Sequence, residues 1–485
     1  VLQATNTKIV LVGEECIEPF LETPETKQWP QWLIPDTENP ASAADLAGFD
    51  NEIAGQVDSA ATSSPDPALR EGIRAEDDML YIFTSGTTGL PKAARYSHMR
   101  WMSSGDVMEV TLDTSGDDVF YCCLPLYHGA AATSVVSTAL SSGASIVIRR
   151  KFSASRFWSD VRTHGVTIFQ YVGEICRYLL NRPESTEEKN NSLRCMLGAG
   201  LTSDTWQRWV KRFGQLDVYE GWGATEANTA TINLDNYVGS CGRISDWNKT
   251  NLRLLRIDEE TQTHVRDENG FYVHCEPGEV GEAVGFIVDS QVTGAGRFEG
   301  YTSTEATESK ILRDVFQKGD AWWSSGDLLR YDANGYCYFV DRVGDTFRWK
   351  SENVSTQEVA TELGDFPGME FINIYGVTVP ENEGRAGMAL VVMQQGCKFD
   401  PQAFYQFVSE RLPHYARPVF VRVGSQADMT TTFKHRKIDL QKQGYDPKRF
   451  ADTLYIKDDS METYSGYSDE VLARNALLAF VDGDA

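Results

Sequence analysis

Residues 81–92 (YIFTSGTTGLPK) combine glycines, hydroxyl side chains and a lysine in an order suited to holding a polyphosphate. Glycines let a backbone approach phosphate oxygens closely, hydroxyls and main-chain amides donate hydrogen bonds, and a lysine adds a point charge. The spacing is not that of the common P-loop, in which the lysine directly follows a glycine and precedes Ser or Thr. A polar surface loop is the alternative, but the ordered string ending in Gly-Leu-Pro-Lys favours phosphate binding. Its candidate ligands are Thr84, Ser85, Gly86, Thr87, Thr88, Gly89 and Lys92.

Two further segments place a carboxylate in a short polar string. Residues 219–228 (YEGWGATEAN) contain Glu226, and Mg²⁺ prefers carboxylate oxygens. A Thr-Glu pair on its own equally fits the start of a helix. Residues 324–328 (SSGDL) place Asp327 after a tight glycine turn, where its two oxygens can accept hydrogen bonds from two neighbouring hydroxyls; a surface turn is the alternative. Their occurrence together with the phosphate loop favours a binding site.

Two other segments carry a lysine or a histidine. Residues 430–437 (TTTFKHRK) hold Lys434 among consecutive basic residues, a string that also fits a solvated basic patch. Residues 124–129 (LPLYHG) contain His128, which fits either a position facing a substrate or a satisfied core position, and both interpretations stay open. None of the seven histidines is spaced from another as in the HxxxH or HExxH metal motifs.

Strand-like and helix-like segments alternate in the first half of the chain. Strands are expected at 119–124, 144–148, 167–169, 193–197 and 216–219, and helices at 154–164 and 174–181. Strands that alternate with helices predict a mostly parallel sheet covered by helices. Residues 197–201 (LGAGL) form the turn that leaves one of these strands.

The pattern changes after residue 251. Shorter alternating runs with glycine turns, at 279–288 and 335–340, predict a smaller β-rich unit. From about residue 344 an α+β module begins, with strands at 371–377 and 389–393 and an amphipathic helix at 401–412.

These elements together predict an α/β fold. The expected architecture is a large N-terminal domain (1–343) of helix-covered sheets plus a small β-rich subdomain, followed by a small α+β C-terminal domain (344–485). At 485 residues the chain is too long for one hydrophobic core, and its length predicts about three structural units.

Composition excludes several classes of function. With 45 Lys and Arg against 70 Asp and Glu, the net charge of −25 argues against nucleic acid or an anionic lipid surface as the main partner. The nine scattered cysteines include no CxxC pair, which is typical of reduced intracellular thiols rather than a disulfide framework or a zinc site.

Apolar stretches are expected in the core rather than in a membrane. Residues 120–148 contain no Asp, Glu, Lys or Arg, but 130–145 is rich in Ser, Thr, Ala and Gly, whose transfer into lipid gains little. A buried helix followed by the strand at 144–148 is expected there. Residues 8–12 (KIVLV) are expected to form a buried strand, and the acidic residues 35–78 a surface excursion.

The loop at residues 81–92 resembles the YTSGTTGxPK signature of the adenylate-forming superfamily: acyl-CoA synthetases, peptide-synthetase adenylation domains and luciferases. Residues 341–354 (DRVGDTFRWKSENV) resemble its fatty acid transport protein and very-long-chain acyl-CoA synthetase branch. In that superfamily a substantial N-terminal part precedes the strand at 8–12. The resemblance therefore implies that the chain lacks this part, through which peripheral membrane association would occur.

Site roles follow from the same resemblance. Beside the phosphate loop, it assigns nucleotide contacts to Gly198, Ala199 and Gly200 at the adenine edge, Trp222 on or beside the adenine, and Asp327 and Arg342 at the ribose. It assigns catalytic roles to Thr225 at the α-phosphate, Glu226 at Mg²⁺, His128 at the gate of the acyl pocket, and Lys434 between the acyl carboxylate and the α-phosphate. The superfamily usually has Tyr where Trp222 stands.

The resemblance also implies a moving C-terminal domain. Gly344 stands at the expected pivot, where many relatives have Asp or Lys, and glycine absorbs a change in φ and ψ at little steric cost. Ser351 stands where many relatives have Gly on the path of the pantetheine arm. Because the pantetheine arm belongs to coenzyme A, Ser in place of Gly concerns the thioester step more than adenylation.

The implied function is that of an AMP-forming acid–thiol ligase. It would use ATP, Mg²⁺ and coenzyme A to convert a long- or very-long-chain fatty acid into acyl-CoA, coupled to fatty acid uptake. A same-branch ligase for a carboxylic acid of secondary metabolism and a non-catalytic fatty acid transport component are the alternatives; the presence of Glu226, Asp327 and Lys434 argues against the last. By resemblance, the location would be intracellular, at the peroxisome, endoplasmic reticulum or another membrane.

Overall fold

The structure is a computed structural model that describes residues 1–34, 64, 66–84, 91–189, 191–258, 263–288, 296–350, 352–382, 384–424 and 437–475. The chain divides into two compact units, Val1–Met99 with Gly300–Thr307, and Arg100–Glu299 with Glu308–Ala485. The expected domain boundary between residues 343 and 344 falls inside the second unit and stays a prediction.

The first unit contains two small sheets. Strands β1 (Val10–Gly13) and β2 (Gln31–Ile34) pair in parallel, and β3 (Asp78–Thr84) and β4 (Lys92–Ser97) form an antiparallel hairpin. The short helices are Glu14–Cys16, Ile17–Leu21, Pro24–Gln28 and Pro67–Arg70. Residues 66–77, the main described part of the predicted surface excursion, are exposed, as expected.

The strand expected at residues 8–12 begins at Val10 and is buried on one face only. Val12 is 3% exposed and packs with Ile17 and Leu33, whereas Leu11 is 57% exposed. Successive side chains of a strand point to opposite faces, and this small core covers a single face of the two-stranded sheet. The prediction of a buried strand was therefore wrong for Leu11.

The second unit contains a six-stranded sheet with the order β10-β9-β8-β7-β5-β6. Its strands are β5 (Val119–Cys122), β6 (Ser145–Ile148), β7 (Ile168–Val172), β8 (Cys195–Ala199), β9 (Asp217–Trp222) and β10 (Thr231–Ile232). All neighbours are parallel except β10, which runs antiparallel to β9. This confirms the predicted, mostly parallel sheet.

Helices cover this sheet because they present apolar residues at helical spacing. The longer ones are His98–Leu112, Phe157–His164, Gly173–Leu180 and Ser203–Phe213, and Thr186–Glu188 is a short turn of 3-10 helix. Along Ser203–Phe213, the residues Trp206, Trp209 and Phe213 are buried, and Trp209 stacks on Phe169 of β7 with ring centroids 5.8 Å apart. The aromatic core thus fixes the helix against the sheet.

The uncharged stretch 120–148 is helical and then extended, as predicted. It forms Gly129–Ala131, the π-helical segment Ala132–Ser137, Thr138–Ser142 and strand β6. The Trp101 indole N–H donates to the Ala132 carbonyl (2.9 Å), and the Ser137 hydroxyl donates to the Trp101 carbonyl (2.6 Å). Among the described residues, no helix has the length and apolar character needed to cross a membrane.

A second, mostly antiparallel sheet follows, which confirms the predicted β-rich unit. Its strands are β11 (Gly242–Arg243), β12 (Leu252–Arg256), β13 (Val280–Phe286), β14 (Ile311–Arg313), β15 (Ala321–Tyr331) and β16 (Tyr336–Arg342). The helical segments here are Trp247–Lys249 and Thr304–Glu308. The longest strand, β15, pairs with β13, β14 and β16 and carries the SSGDL segment.

The C-terminal part has a sheet and a core of its own. A hairpin of β17 (Phe347–Trp349) and β18 (Glu352–Val354) precedes the five-stranded sheet β19 (Met369–Thr378), β20 (Arg385–Met393), β21 (Phe420–Gly424), β22 (Thr453–Asp458) and β23 (Thr463–Gly466). Its helices are Thr356–Leu363, Pro401–Arg411, His414–Ala416, Lys437–Gln443 and Asp469–Arg474. This confirms the predicted α+β module.

Candidate active site

The carboxyl ends of the parallel strands gather three of the predicted segments. Strand β5 leads into residues 124–129, β8 ends in Gly198 and Ala199, and β9 ends at Trp222. Because β5, β7, β8 and β9 are parallel, these ends lie at one edge of the sheet. In open α/β sheets, ligands bind outside this edge.

A glycine brings the His128 segment against the loop that carries Thr225. Gly129 is buried, and a Cβ atom at this position would lie 2.7 Å from Thr225 Oγ1. His128 itself is half-buried, and its Nδ1 accepts a hydrogen bond from the Ala130 N–H (3.3 Å). The segment of His128 thus lies against the Thr225 loop, and whether His128 faces a substrate or is a satisfied core residue stays open.

Arg100 supports the loop that contains Thr225 and Glu226. Its Nη2 donates to the carbonyls of Thr225 (2.9 Å) and Ala227 (2.5 Å), and Glu226 between them is 9% exposed. Sequence reasoning missed Arg100. It precedes Thr225 by 125 residues, and no local pattern marks the pairing.

Glu220 of β9 holds the turn at the end of β8. Its Oε1 accepts hydrogen bonds from the backbone N–H groups of Gly200 (2.6 Å) and Leu201 (3.1 Å), and its Oε2 accepts one from the Tyr171 hydroxyl (2.5 Å). Burial raises the pKa of Glu220 to about 8, against the opposing effect of these hydrogen bonds. Sequence reasoning missed this residue too; its place on the buried face of β9 is the signal that could have found it.

Trp222 and Asp327 bring two motifs into one hydrogen-bonded site. The Trp222 Nε1–H donates to Asp327 Oδ2 at 3.0 Å, although the residues are 105 positions apart. Arg342 is the register partner of Asp327 in the β15–β16 pair, and its Nε lies 3.5 Å from Asp327 Oδ1. The two predicted ribose ligands are therefore adjacent to each other and to the predicted adenine neighbour.

Glu282 anchors the turn that carries Asp327. Its Oε1 accepts hydrogen bonds from the Ser324 hydroxyl (2.5 Å) and the Gly326 N–H (2.9 Å), and its Oε2 lies 2.7 Å from His264 Nε2. Burial acts to raise the pKa of Glu282, but the bonds from His264, Ser324 and Gly326 hold it below the ordinary value. Glu282 is a further residue that the motifs did not reveal.

The donor groups fit a metal ion that arrives with a nucleotide. In the part of the chain that the structure describes, no cluster of three or more His, Cys, Asp or Glu side chains could hold a metal. Mg²⁺ needs no such cage, because it is usually bound through one or two carboxylates together with substrate phosphates and water. Glu226 can supply such a carboxylate.

The two ends of the phosphate loop lie in the first unit. Thr84 ends β3, Lys92 begins β4, and the two are register partners in the hairpin. The Lys92 ammonium lies 5.6 Å from the centre of the Tyr301 ring. The other predicted ligands of the loop lie outside the described residues: Ser85, Gly86, Thr87, Thr88 and Gly89.

The predicted pivot has the backbone that glycine permits. Gly344 has φ +87°, in the left-handed region, and apart from its chain neighbours no atom of the described residues lies within 4 Å of a Cβ built there. Lys437, the first residue of the helix Lys437–Gln443, contacts Thr356 Oγ1 (2.5 Å) and Asp345 Oδ2 (3.1 Å). Lys434 and Ser351 lie outside the described residues.

Comparison with known proteins identifies relatives. Residues 1–301 match the family described as AMP-binding enzyme. The chain is 38% identical over 483 residues to Long-chain fatty acid transport protein 2 of Rattus norvegicus, covering 98% of this chain and 75% of the relative. It is 40% identical to Long-chain fatty acid transport protein 3 of Homo sapiens (94% and 66% covered) and 38% identical to Medium/long-chain-fatty-acid–CoA ligase FadD6 of Mycobacterium tuberculosis (90% and 73%). The chain thus spans about two-thirds to three-quarters of the length of these curated relatives.

Solved structures share the fold. The anthranilate CoA ligase AuaEII in complex with anthranoyl-AMP superposes with a TM-score of 0.70 at 18% identity, over 90% of this chain and 78% of that one. ATP-bound MatB from Rhodopseudomonas palustris gives 0.68 at 22% identity, over 91% and 80%. Because the family match covers more than half of this chain, the chain belongs to the AMP-binding enzymes, in the branch of long-chain fatty acid transport proteins and fatty-acid–CoA ligases.

Proposed function

We propose that this chain is an AMP-forming ligase that converts a long-chain fatty acid, ATP and coenzyme A into acyl-CoA, AMP and pyrophosphate. Its family supports the enzyme class, and the names of its relatives support a fatty acid as the substrate. The observation that carries the proposal is the 3.0 Å hydrogen bond between Trp222 and Asp327. It joins two distant motifs that are both expected to bind one nucleotide.

The reaction has two steps in which the protein orients and stabilises. First, a carboxylate oxygen of the acid attacks the α-phosphorus of ATP, the bond to the β-phosphate oxygen breaks, and pyrophosphate leaves. Then the thiol sulfur of coenzyme A, losing its proton, attacks the acyl carbonyl, and AMP leaves with the electron pair of the broken C–O bond. Such transfers depend on positioning and on charge stabilisation rather than on covalent catalysis by the protein.

Named residues divide these tasks. Asp327 and Arg342 bind the ribose, and Thr225 contacts the α-phosphate from its place beside Gly129. Glu226 would supply a carboxylate oxygen to Mg²⁺, which would neutralise phosphate charge when bound. The phosphate loop and Lys434 take the roles that the resemblance implies.

Fatty acid uptake fits the same chemistry. Coupling a fatty acid to coenzyme A adds several charged phosphates, so the product cannot cross a bilayer and is retained on the side where it forms. The names of the transport relatives favour this role. We therefore propose that uptake follows from ligation, and that Asp327→Asn lowers both to the same extent in cells given labelled fatty acid. Uptake that persists in this variant would instead support the non-catalytic transport component.

Acid-dependent exchange of pyrophosphate into ATP tests the ligase and its substrate class. We expect exchange with long-chain fatty acids and a loss of about tenfold or more in Asp327→Asn, because a charged hydrogen-bond acceptor for the ribose is removed. Exchange only with acids unrelated to fatty acids would favour the same-branch ligase for another acid. If the folded chain shows no exchange with any acid of a panel from short to very long chain, the enzyme proposal is wrong.

Lys434→Ala tests the assigned catalytic lysine. We expect adenylation to fall by roughly 10²–10³, as for the loss of one preorganised charge-stabilising donor, while thioester formation from a supplied acyl-adenylate is largely spared. Lys448→Ala, a change at an exposed lysine, is the control. Pyrophosphate exchange near the wild-type rate in Lys434→Ala would refute the assignment.

A further inference from the structure

Trp222 makes a hydrogen bond that packing of its ring against adenine would not require. Its side chain is 5% exposed at the end of β9, and its indole N–H donates to Asp327 Oδ2. The ring of Trp323 packs at 6.4 Å between centroids, tilted by 38°. An indole N–H can only donate, so Asp327 Oδ2 is the acceptor in this pair.

The Asp327 carboxylate is held at both oxygens. Trp222 contacts Oδ2, and the Arg342 Nε lies 3.5 Å from Oδ1. A carboxylate offers about four acceptor positions, so a hydrogen bond from Trp222 is compatible with binding a diol. The turn beneath is fixed by Glu282, which accepts the Gly326 N–H. Above this fixed turn, the indole N–H and the Arg342 guanidinium contact different oxygens of the same carboxylate.

We propose that Trp222 is a positioning residue for ribose recognition. It orients Asp327 toward the vicinal hydroxyls and so sets the preference for ribonucleotides over deoxynucleotides. This inference rests on the proposed function, since it assumes that Asp327 faces the ribose of a bound adenine nucleotide. Phe and Tyr are also aromatic, but neither has an indole N–H with which to make this contact.

Equilibrium binding of AMP, 2′-deoxy-AMP and 3′-deoxy-AMP tests the proposal. For the wild type, we expect AMP to bind about tenfold more tightly than either deoxy analogue, the order expected of a hydrogen bond to a charged group. In Trp222→Phe, AMP affinity falls by about the same factor while the affinities for the analogues fall less, so the ratio shrinks. Asp327→Asn, which leaves the indole in place, shrinks the ratio as well.

Trp323→Phe is the matched control. Trp323 is buried, and among the described residues its indole nitrogen has no hydrogen-bond partner. The change therefore removes an indole N–H beside the same cluster without removing a hydrogen bond, and we expect the AMP-to-deoxy ratio to stay at the wild-type value. Thermal midpoints of the Trp222 and Trp323 variants establish that both remain folded.

Three outcomes would overturn the inference. Equal binding of AMP and its analogues by the wild type, a Trp222→Phe variant that weakens all three nucleotides equally, or a Trp323→Phe variant that loses the same preference would each contradict it. Failure of the proposed function has a different signature: ribonucleotide preference with the expected Trp222→Phe loss, but no acyl-CoA formed. No nucleotide binding by the folded wild type would refute both.

Discussion

Two buried glutamates show how single residues order the site and why their protonation differs. Glu282 contacts His264, and its pKa is held below the ordinary value despite burial. Among the described residues, the hydrogen bonds to Glu220 come from neutral donors, Tyr171 and two backbone amides, and burial raises its pKa to about 8. The partner, rather than burial alone, decides which carboxylate is ionised at neutral pH.

Replacement of Glu220 by Gln should change the pH dependence of stability. Between the ordinary value of 4.5 and about 8, folded Glu220 keeps a proton that the unfolded chain has lost. The free energy of unfolding therefore falls as pH rises through this window. Glutamine does not titrate, so we expect thermal midpoints of Glu220→Gln to decline less than those of the wild type between the two ends of the window.

Glu282→Gln is the control for this prediction because the shift has the opposite sign. The lowered pKa of Glu282 gives a stabilisation that is lost only as pH falls through the folded-state value. This variant should therefore not flatten the decline above the ordinary value. A Glu220→Gln variant that declines as steeply as the wild type would contradict the prediction.

At the scale of elements, three segments meet beside the predicted pivot. The buried Asp341 at the end of β16 accepts a hydrogen bond from the Thr356 N–H (2.7 Å) at the start of a helix. Lys437 begins another helix and contacts both Thr356 and Asp345. The helix that follows the Lys434 segment is thus tied to the strand and turn that flank Gly344.

Lys437→Ala should lower adenylation without unfolding the chain. Lys437 follows Lys434 by three positions, and small displacements of a reacting group have large effects on rate. We expect a loss of about tenfold in pyrophosphate exchange, with Asp345→Asn giving a similar loss and the double variant less than the product of the two.

Lys442→Ala is the matched control, since Lys442 is exposed on the same helix. It should leave exchange at the wild-type rate. If Lys437→Ala behaves like Lys442→Ala, the contact with Asp345 and Thr356 plays no part in placing the lysine that we propose to be catalytic.

At the scale of the whole molecule, the C-terminal part packs largely on itself. The core of this part takes all its buried members from residues 347–472. An ion pair joins Arg208 of an earlier helix to Asp365, but both side chains are more than a third exposed, and such pairs contribute about 0–1 kcal/mol. The core of the C-terminal part therefore does not depend on the parallel sheet.

A fragment of residues 341–485, which keeps Asp341, should fold alone. We expect a cooperative thermal transition, because the described buried residues of its core all come from this part of the chain. Phe404→Ala, at a fully buried position, should cost about 3–5 kcal/mol in this fragment. The exposed Glu410→Ala should cost less than about 0.5 kcal/mol. A fragment that lacks a cooperative transition would contradict the prediction and the domain boundary it tests.

Much of the fold was predictable because it follows from the local pattern of residue types along the chain. Alternation of strand-like and helix-like segments predicted the parallel sheet, and glycine turns between short runs predicted the β-rich sheet. Boundaries shifted where a local turn precedes an element: the helix expected from residue 154 begins at Phe157, after a turn in which the Ser153 carbonyl accepts the N–H groups of Arg156 and Phe157. The sequence pattern did not predict that Ala132–Ser137 is π-helical or that it is hydrogen-bonded to Trp101 of another helix.

The amino-acid sequence alone determined the family, the order of the motifs and the candidate residues within each motif, since these depend on neighbouring residue types and spacing. Only the tertiary structure revealed that Trp222 donates to Asp327, that Glu220 holds the turn after β8, and that Arg100 supports the Thr225 loop. These partners are 20 to 125 residues apart. Their pairing depends on how sheets and helices pack, which no local pattern encodes.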